Sequence, residues 1–483
     1  MMWSRFIQLD PGSTLSLQFQ IRRAIVAAIR EGFLPVETRL PSSRDLAIEL
    51  KVARNTVVLA YQQLVDEGIL VSHERSGHFV AERAEAAEAP GSVPTGVSVD
   101  WQQRLRYRPS AVRNIAKPRE WQKLPYPFIH GQPDPALFPI NDWRECVRGA
   151  LSTLEIRDWS RDLIDGDDPI LVAEIRKHVL PMRGVFAGAD EVMITLGTQQ
   201  ALYLLAALLM ERGTVVGMEE PGYPDARNIF AAREATLRLL PVDTAGLPVD
   251  DRLAGTSYVY VTPSHQCPTT ATLPMQRREA LMAAARKQDF VIIEDDYEVE
   301  TPIGRVPLPA LKSLDRDGRV LYVGSLSKTL APGLRLGYLV APAPVIAELR
   351  ALRRLMLRHP PANNQRAAAL FISLGHYEAN LKRIARAMRE RESVIDAALA
   401  THLPQATCVR DVGATSVWVH LEGVDTRRLA DHAFERGVVI EPGDVFFGAD
   451  DPPKGFMRLG FSTIPAGKIE RGIAELAQAI RET

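Results

Sequence analysis

Cysteine is scarce, with three in 483 residues, and Cys146, Cys267 and Cys408 lie far apart. That spacing excludes a disulfide framework and the paired spacings of a zinc site. Long apolar runs are absent too. The longest near-continuous one, Ala201 to Met210, is too short to cross a bilayer. Met1 to Asp10 shows no signal-peptide pattern, so a cytoplasmic location is expected. Charge is balanced at a net -1, so any nucleic-acid face has to come from placement of cations and not from their excess. No internal repeat is visible. A length of 483 residues with a hydrophobic fraction of 46% allows two to four domains with large cores.

The chemistry concentrates at four places where an apolar run ends. Val320 to Val323 reads as a buried strand that leads into Gly324, Ser325 and then Lys328, with Arg335 seven residues after the lysine. An amine on such a turn suits condensation with an aldehyde beside a bound phosphate. Phe290 to Glu294 reads as a second strand and runs into Asp295, Asp296 and Tyr297. A carboxylate at a parallel strand's exit can pair with a protonated ring nitrogen, or it can simply cap the next turn. Glu191 to Leu196 precedes Gly197-Thr198-Gln199-Gln200, where a helix start offers free N–H groups to an anion, with ordinary capping by Thr198 as the alternative. Met218 to Pro224 ends a fourth strand with Tyr223, which can stack on a ring or pack under the loop.

The four segments in this order give residues 124 to 483 a resemblance to fold-type I aminotransferases of the aminoadipate and kynurenine branch. The resemblance implies pyridoxal 5'-phosphate as cofactor and Lys328 as its Schiff-base lysine. It also implies Asp295 as partner of the pyridine nitrogen and Tyr297 as donor to the ring hydroxyl. Thr198, Gln199, Ser325 and Arg335 would hold the phosphate, Tyr223 would stack on the ring, and Arg458 would grip a ligand's α-carboxylate. One departure stands out: Cys267-Pro268-Thr269-Thr270 replaces the usual Asn-Pro-Thr-Gly. Cofactor binding can survive that change where efficient turnover does not.

The first 83 residues read differently. Residues 12 to 33 carry Leu15, Leu17, Ile21, Ile25, Ala28 and Ile29 at near-helical spacing and stop at Gly32. Ser42 and Asp45 suggest a capping box opening a second helix, and Arg54 opens a third that Gly68 ends. Two short strands, Ile69 to Ser72 and His78 to Ala81, would flank the tip Arg75-Ser76-Gly77. That order predicts a winged helix-turn-helix, mainly α with a β wing, whose third helix lies in the major groove. Residues 1 to 80 hold nine Lys or Arg against eight Asp or Glu, so charge alone says nothing. Residues 15 to 83 resemble the GntR family's DNA-binding domain through Leu40 to Arg44, Val52 to Val57, Ala60-Tyr61, Leu64, Glu67-Gly68 and Leu70. By that resemblance Arg44, Arg54, Asn55, Thr56, Ser76 and Gly77 contact double-stranded DNA. The wing's Arg75-Ser76-Gly77-His78 departs from the usual Gly-Ser-Gly-Thr.

A GntR-type domain joined to an aminotransferase-like α/β domain resembles the MocR subfamily of bacterial transcription regulators. The expected division is 1-83 for the DNA reader, 84-123 for a linker and 124-483 for the effector domain. Within the last, a large part spans about 165-350 and a small part about 351-483. The linker's Ala84 to Pro94 reads as a flexible spacer. Its second half carries Arg104, Arg106, Arg108, Arg113, Lys117, Arg119 and Lys123 against Glu120, which suggests added phosphate contacts or a tether that docks on the second domain. The expected function is DNA binding controlled by an amino compound, or by pyridoxal phosphate itself, in a homodimer of head-to-tail form. A working aminotransferase is the second expectation. No metal site is expected.

Overall fold

The computed structural model describes residue 3 and residues 7–10, 12–13, 15–73, 76–81, 99–298, 308–326 and 328–482. The predicted spacer, Arg75 at the wing tip and Ser327 fall outside the described residues. The chain divides into two compact units, Met1–Tyr107 and Arg108–Thr483.

The first unit contains α1 (Leu17–Arg30), α2 (Ser43–Leu50), α3 (Arg54–Asp66), and the hairpin β1 (Leu70–His73) with β2 (Gly77–Val80). Ser16 caps α1, so the helix starts inside the predicted span, and Leu15 and Leu17 are exposed while Ile21, Ile25 and Ala28 are buried. Ser42 caps α2 by accepting from the Asp45 N–H at 3.1 Å, and its hydroxyl donates to the Asp45 carboxylate at 2.6 Å. Lys51 takes a left-handed backbone (φ 54°) and turns the chain into α3. The Tyr61 hydroxyl donates to the Pro41 carbonyl at 3.1 Å and ties α3 to the start of α2. Ile21, Ile25, Leu46, Val57, Leu64, Leu70 and Val80 form the core beneath.

The second unit opens with an extended segment and β3 (Tyr126–Pro127). Its main sheet comprises β4 (Val192–Thr195), β5 (Val215–Glu220), β6 (Thr236–Pro241), β7 (Tyr258–Val261), β8 (Val291–Asp296), β9 (Val320–Ser325) and β10 (Gly337–Val340). The strand order is β4-β10-β9-β8-β7-β5-β6, with β10 antiparallel to both neighbours and the remaining pairs parallel. Alternate residues enter different cores: Ile292 packs with Leu281 and Ala285, while Ile293 packs with Leu202 and Phe230. Helical cover on both faces explains the unbroken apolar runs of β8 and β9. A second, antiparallel sheet contains β11 (Thr407–Val409), β12 (Ser416–His420), β14 (Glu441–Pro442) and β15 (Phe456–Gly460). Between them β13 (Val438–Val439) pairs in parallel with β3. Helices His376–His402 and Ala466–Glu482 cover this part. No described helix is long and apolar enough to cross a membrane.

Candidate functional site

The exit of β8 and the turn after β9 meet the start of helix Thr198–Leu209 and Arg458 of β15 around one cavity of about 370 Å³. Thr198, Gln199, Tyr223, Asp295, Tyr297, Lys328 and Arg458, all singled out from the sequence, line it. Ser325 ends β9 and is buried. Arg335 does not line the cavity. It donates from Nη2 to the Leu196 carbonyl at 2.9 Å, beside Gly197 at the helix start, with its side chain exposed.

Burial governs the ionisation of these groups. Desolvation pushes the Asp295 carboxyl up to about 7, although the Tyr260 hydroxyl donates to its Oδ2 at 2.8 Å. Its Oδ1 is buried without a hydrogen-bond partner. The adjacent Asp296 faces away from that role: despite its burial, Arg183 at 2.7 Å and the Tyr322 hydroxyl at 2.7 Å hold it below the usual range. Desolvation also pulls Lys328 down to about 8, against the opposing pull of Glu298. Lys328 Nζ sits 3.4 Å from the Gly131 carbonyl. The His130 ring meets Tyr297 edge-on at 5.9 Å, and burial with nearby cations keeps that histidine neutral.

Arg458 is a buried residue of β15, 4% exposed, and stands directly opposite Glu441 on β14. Its Nε donates to Glu441 Oε2 at 2.8 Å, its Nη1 lies 3.7 Å from Cys267 Sγ, and its guanidinium covers the Phe446 ring at 4.6 Å. Although burial works the other way, the Glu441 carboxylate holds the guanidinium firmly charged. Cys267 occupies the cavity wall, and desolvation pushes its thiol up to about 12, which leaves it protonated and without nucleophilic character.

Several residues here escaped the sequence reading. Asp225 accepts from the Tyr223 hydroxyl at 2.9 Å, from Gln199 Nε2 at 2.5 Å and from the Asn114 side-chain amide. An acid in a helix's first turn reads locally as a dipole partner, so its sequence carried no sign of this role. Asn114, Ile115 and Lys117 line the cavity as well, although they lie in the stretch expected to be linker. Lys117 Nζ donates to the His130 carbonyl at 2.8 Å and lies 3.6 Å from Glu441 Oε1. Arg113 donates to the Ala449 carbonyl at 2.5 Å, and its own carbonyl accepts from Asn228 at 3.0 Å. From Arg108 onward this stretch is therefore part of the second unit.

In the first unit Arg44, Arg54, Asn55, Ser76 and Gly77 are exposed and Thr56 is half-buried. Arg54, Asn55 and Thr56 share the first turn of α3, whose inner face is held by Val57, Ala60, Tyr61 and Leu64. That leaves their donors outside the core, at the end of the helix that reads DNA in this fold.

The family model for bacterial regulatory proteins of the gntR family matches residues 17–80, and that for aminotransferase class I and II matches residues 169–476. The HTH-type transcriptional regulator TauR of Rhodobacter capsulatus is 44% identical over 475 residues, covering 98% of this chain and 98% of the relative. The probable rhizopine catabolism regulatory protein MocR of Rhizobium meliloti is 31% identical, covering 98% and 95%. Among solved structures, the α-aminoadipate aminotransferase LysN of Thermus thermophilus superposes with a TM-score of 0.72 at 27% identity, over 80% of this chain and 99% of that one. Its structure contains N-(5'-phosphopyridoxyl)-L-leucine. Relatives spanning both units are regulators, and the enzyme likeness covers the second unit, which favours the regulator over a free-standing aminotransferase. The chain belongs to the MocR-type transcription regulators, in which a GntR-family helix-turn-helix domain that binds DNA is joined to an aminotransferase class I and II domain.

Proposed function

We propose that the second unit binds pyridoxal phosphate through Lys328 and senses a small amino compound that carries an acidic group, and that occupancy alters DNA binding by a homodimer in the cytoplasm. One observation carries this reading: Lys328, Asp295, Tyr297, Tyr223, Thr198 and Arg458 converge on a single cavity of about 370 Å³. The donor set fits the cofactor. Asp295 Oδ1 is a buried acceptor without a partner, which suits a protonated ring nitrogen. The helix start at Gly197–Thr198 offers backbone N–H groups to a phosphate, with Arg335 at its edge and Ser325 at the end of β9.

When bound, pyridoxal phosphate supplies an aldehyde that exchanges amines reversibly and a ring that accepts electrons. The chain's own residues set the conditions for that exchange. Lys328, held at about 8, has a substantial neutral fraction at neutral pH, and only the neutral amine is nucleophilic. Asp295 would hold the ring nitrogen, Tyr297 would donate to the ring hydroxyl, and Tyr223, whose own hydroxyl donates to Asp225, would stack on the ring. Arg458 presents its remaining donors to the acidic group of the effector. Arg44, Arg54, Asn55, Thr56, Ser76 and Gly77 read the operator. Coupling requires the effector to prefer one arrangement of the dimer, head-to-tail by the subfamily likeness, over another.

The experiment loads the full chain with pyridoxal phosphate, reduces it with borohydride and maps the adduct by mass spectrometry. Binding to operator DNA is then titrated with and without amino acids. An adduct on Lys328 and an amino-acid-dependent change in DNA affinity are expected. An unmodified Lys328 would refute the cofactor reading, and DNA binding indifferent to every amino acid and to pyridoxal phosphate would refute the sensing reading.

A further inference from the structure

The segment Asn114–Pro118 runs along the cavity as a strap. Asn114 donates to Asp225, which also holds Gln199 and Tyr223, while Lys117 Nζ reaches the His130 carbonyl at 2.8 Å. Asn114, Ile115 and Lys117 also line a second cavity, of about 330 Å³, whose other walls include Arg427, Phe434 and Pro442. Open volume thus borders the strap against two different sets of neighbours.

Lys117 and Arg458 line the first cavity together and share one acid. Glu441 gives Oε2 to Arg458 at 2.8 Å, and its Oε1, buried and without a hydrogen bond, lies 3.6 Å from Lys117 Nζ. Two cations against one carboxylate leave a single positive charge in excess at this end of the cavity. His130 does not offset it, because burial first, and then Arg458, Lys328 and Lys117, keep its ring neutral. Lys328 is pulled down by its burial and by Lys117 and Arg458, against the pull of Glu298 and Glu441. Arg458 and Glu441 are buried and Lys117 is partly exposed, so an anion entering the cavity meets a cation that no carboxylate there answers. The phosphate cradle at Gly197–Thr198 belongs to the large sheet, whereas Arg458 and Glu441 belong to the C-terminal sheet, so this excess addresses a different group.

We propose that Lys117 is a second anion-reading residue of this cavity, which together with Arg458 holds the acidic group of the effector. The proposal rests on the effector reading above and adds a specificity residue to it. Arg458 spends Nε on Glu441 and turns Nη1 toward Cys267, so it cannot offer a carboxylate its whole fork. Lys117, with one donor on His130 and two more to place, supplies what the fork lacks. The same residue lies nine positions after Arg108, where the chain enters the second unit.

The test uses the full chain loaded with pyridoxal phosphate and three probes: L-alanine, β-alanine, and ethylamine, the amine that both become without their carboxylate. Half-saturation is read from the visible absorbance of the cofactor in wild type, Lys117→Met, Lys117→Gln, Lys117→Arg and Arg458→Met. The borohydride adduct at Lys328 verifies loading in each. In wild type at least one amino acid should bind more tightly than ethylamine. Lys117→Met and Lys117→Gln should each reduce that preference about ten-fold without weakening ethylamine, and Lys117→Arg should retain most of it. If both neutral variants keep the wild-type preference while Arg458→Met loses it, the proposal is overturned and the effector reading stands. If wild type prefers ethylamine or shows no preference, both fall. If no adduct forms at Lys328, the cofactor reading fails.

Discussion

Replacing Asp295 by asparagine should strengthen the cofactor-free second unit and weaken its hold on pyridoxal phosphate. The carboxyl is 2% exposed, receives one hydrogen bond from Tyr260 and leaves Oδ1 without a partner. Shifting its proton affinity from an ordinary 3.8 to about 7 corresponds to roughly 4 kcal/mol of preference for the neutral form, as an upper bound. A folded-state value above the unfolded one makes the native state bind the extra proton, so stability falls as pH rises from about 4 to about 7. The full cost is present above that window and absent below it. Asparagine never ionises, and its side-chain carbonyl can still accept from Tyr260. Denaturant melts of apo-protein should show the variant about 2 to 4 kcal/mol more stable than wild type at about pH 8, with the gap closing toward pH 4. The cofactor reverses the ranking. Its protonated ring nitrogen pairs with a carboxylate and not with an amide, so pyridoxal phosphate should raise the midpoint of wild type well above that of the variant. Equal apo stabilities across this pH range would refute the desolvation argument, and equal stabilisation by cofactor would refute the pairing.

Lys328→Ala should abolish the borohydride-stable adduct, and in wild type the rate of adduct formation should rise through about pH 8, because burial has brought the amine's proton affinity down to that value; a midpoint above about 10 would contradict it. Gly131→Ala should impair loading without unfolding the unit. A Cβ at this position, where φ is +76°, would stand 2.1 Å from Lys328 Nζ, so slower adduct formation is expected, with little change in far-ultraviolet circular dichroism. Arg54→Ala should weaken DNA binding and lower the slope of log affinity against log salt by about one, because the exposed side chain takes no part in the core of α3; fluorescence anisotropy at several salt concentrations reads it.

The two ends of the chain differ in how openly the sequence displays them. In the helix-turn-helix the signals are local. Ser42 capping α2, the turn at Lys51 and the buried spacing Val57, Ala60, Tyr61 and Leu64 each depend on residues within one or two helical turns. Where the reading erred, a local competitor decided: Ser16 caps α1, so Leu15 and Leu17 lie outside the helix or at its first turn and are exposed. The residues proposed to hold the cofactor in the second unit stood out in the sequence for a related reason. Asp295, Lys328 and Thr198 follow apolar runs buried on both faces, and a parallel strand's exit is where such a sheet can leave a polar group free.

Short-range pattern was enough to mark the kind of protein: a helix-turn-helix of the GntR kind, and a lysine, an aspartate and a helix start at strand exits. How the cavity is charged and walled depended on the folded chain. Glu441 meets Arg458 because the register of β14 on β15 places them opposite each other, and Asp225 gathers Gln199, Tyr223 and Asn114 from three separate segments. Lys117 looked like one basic residue of a tether, yet folding spends its charge inside the cavity, where burial and Glu441 act on it more strongly than any neighbour in the chain. Register and burial are long-range quantities, set by packing that no window of sequence contains.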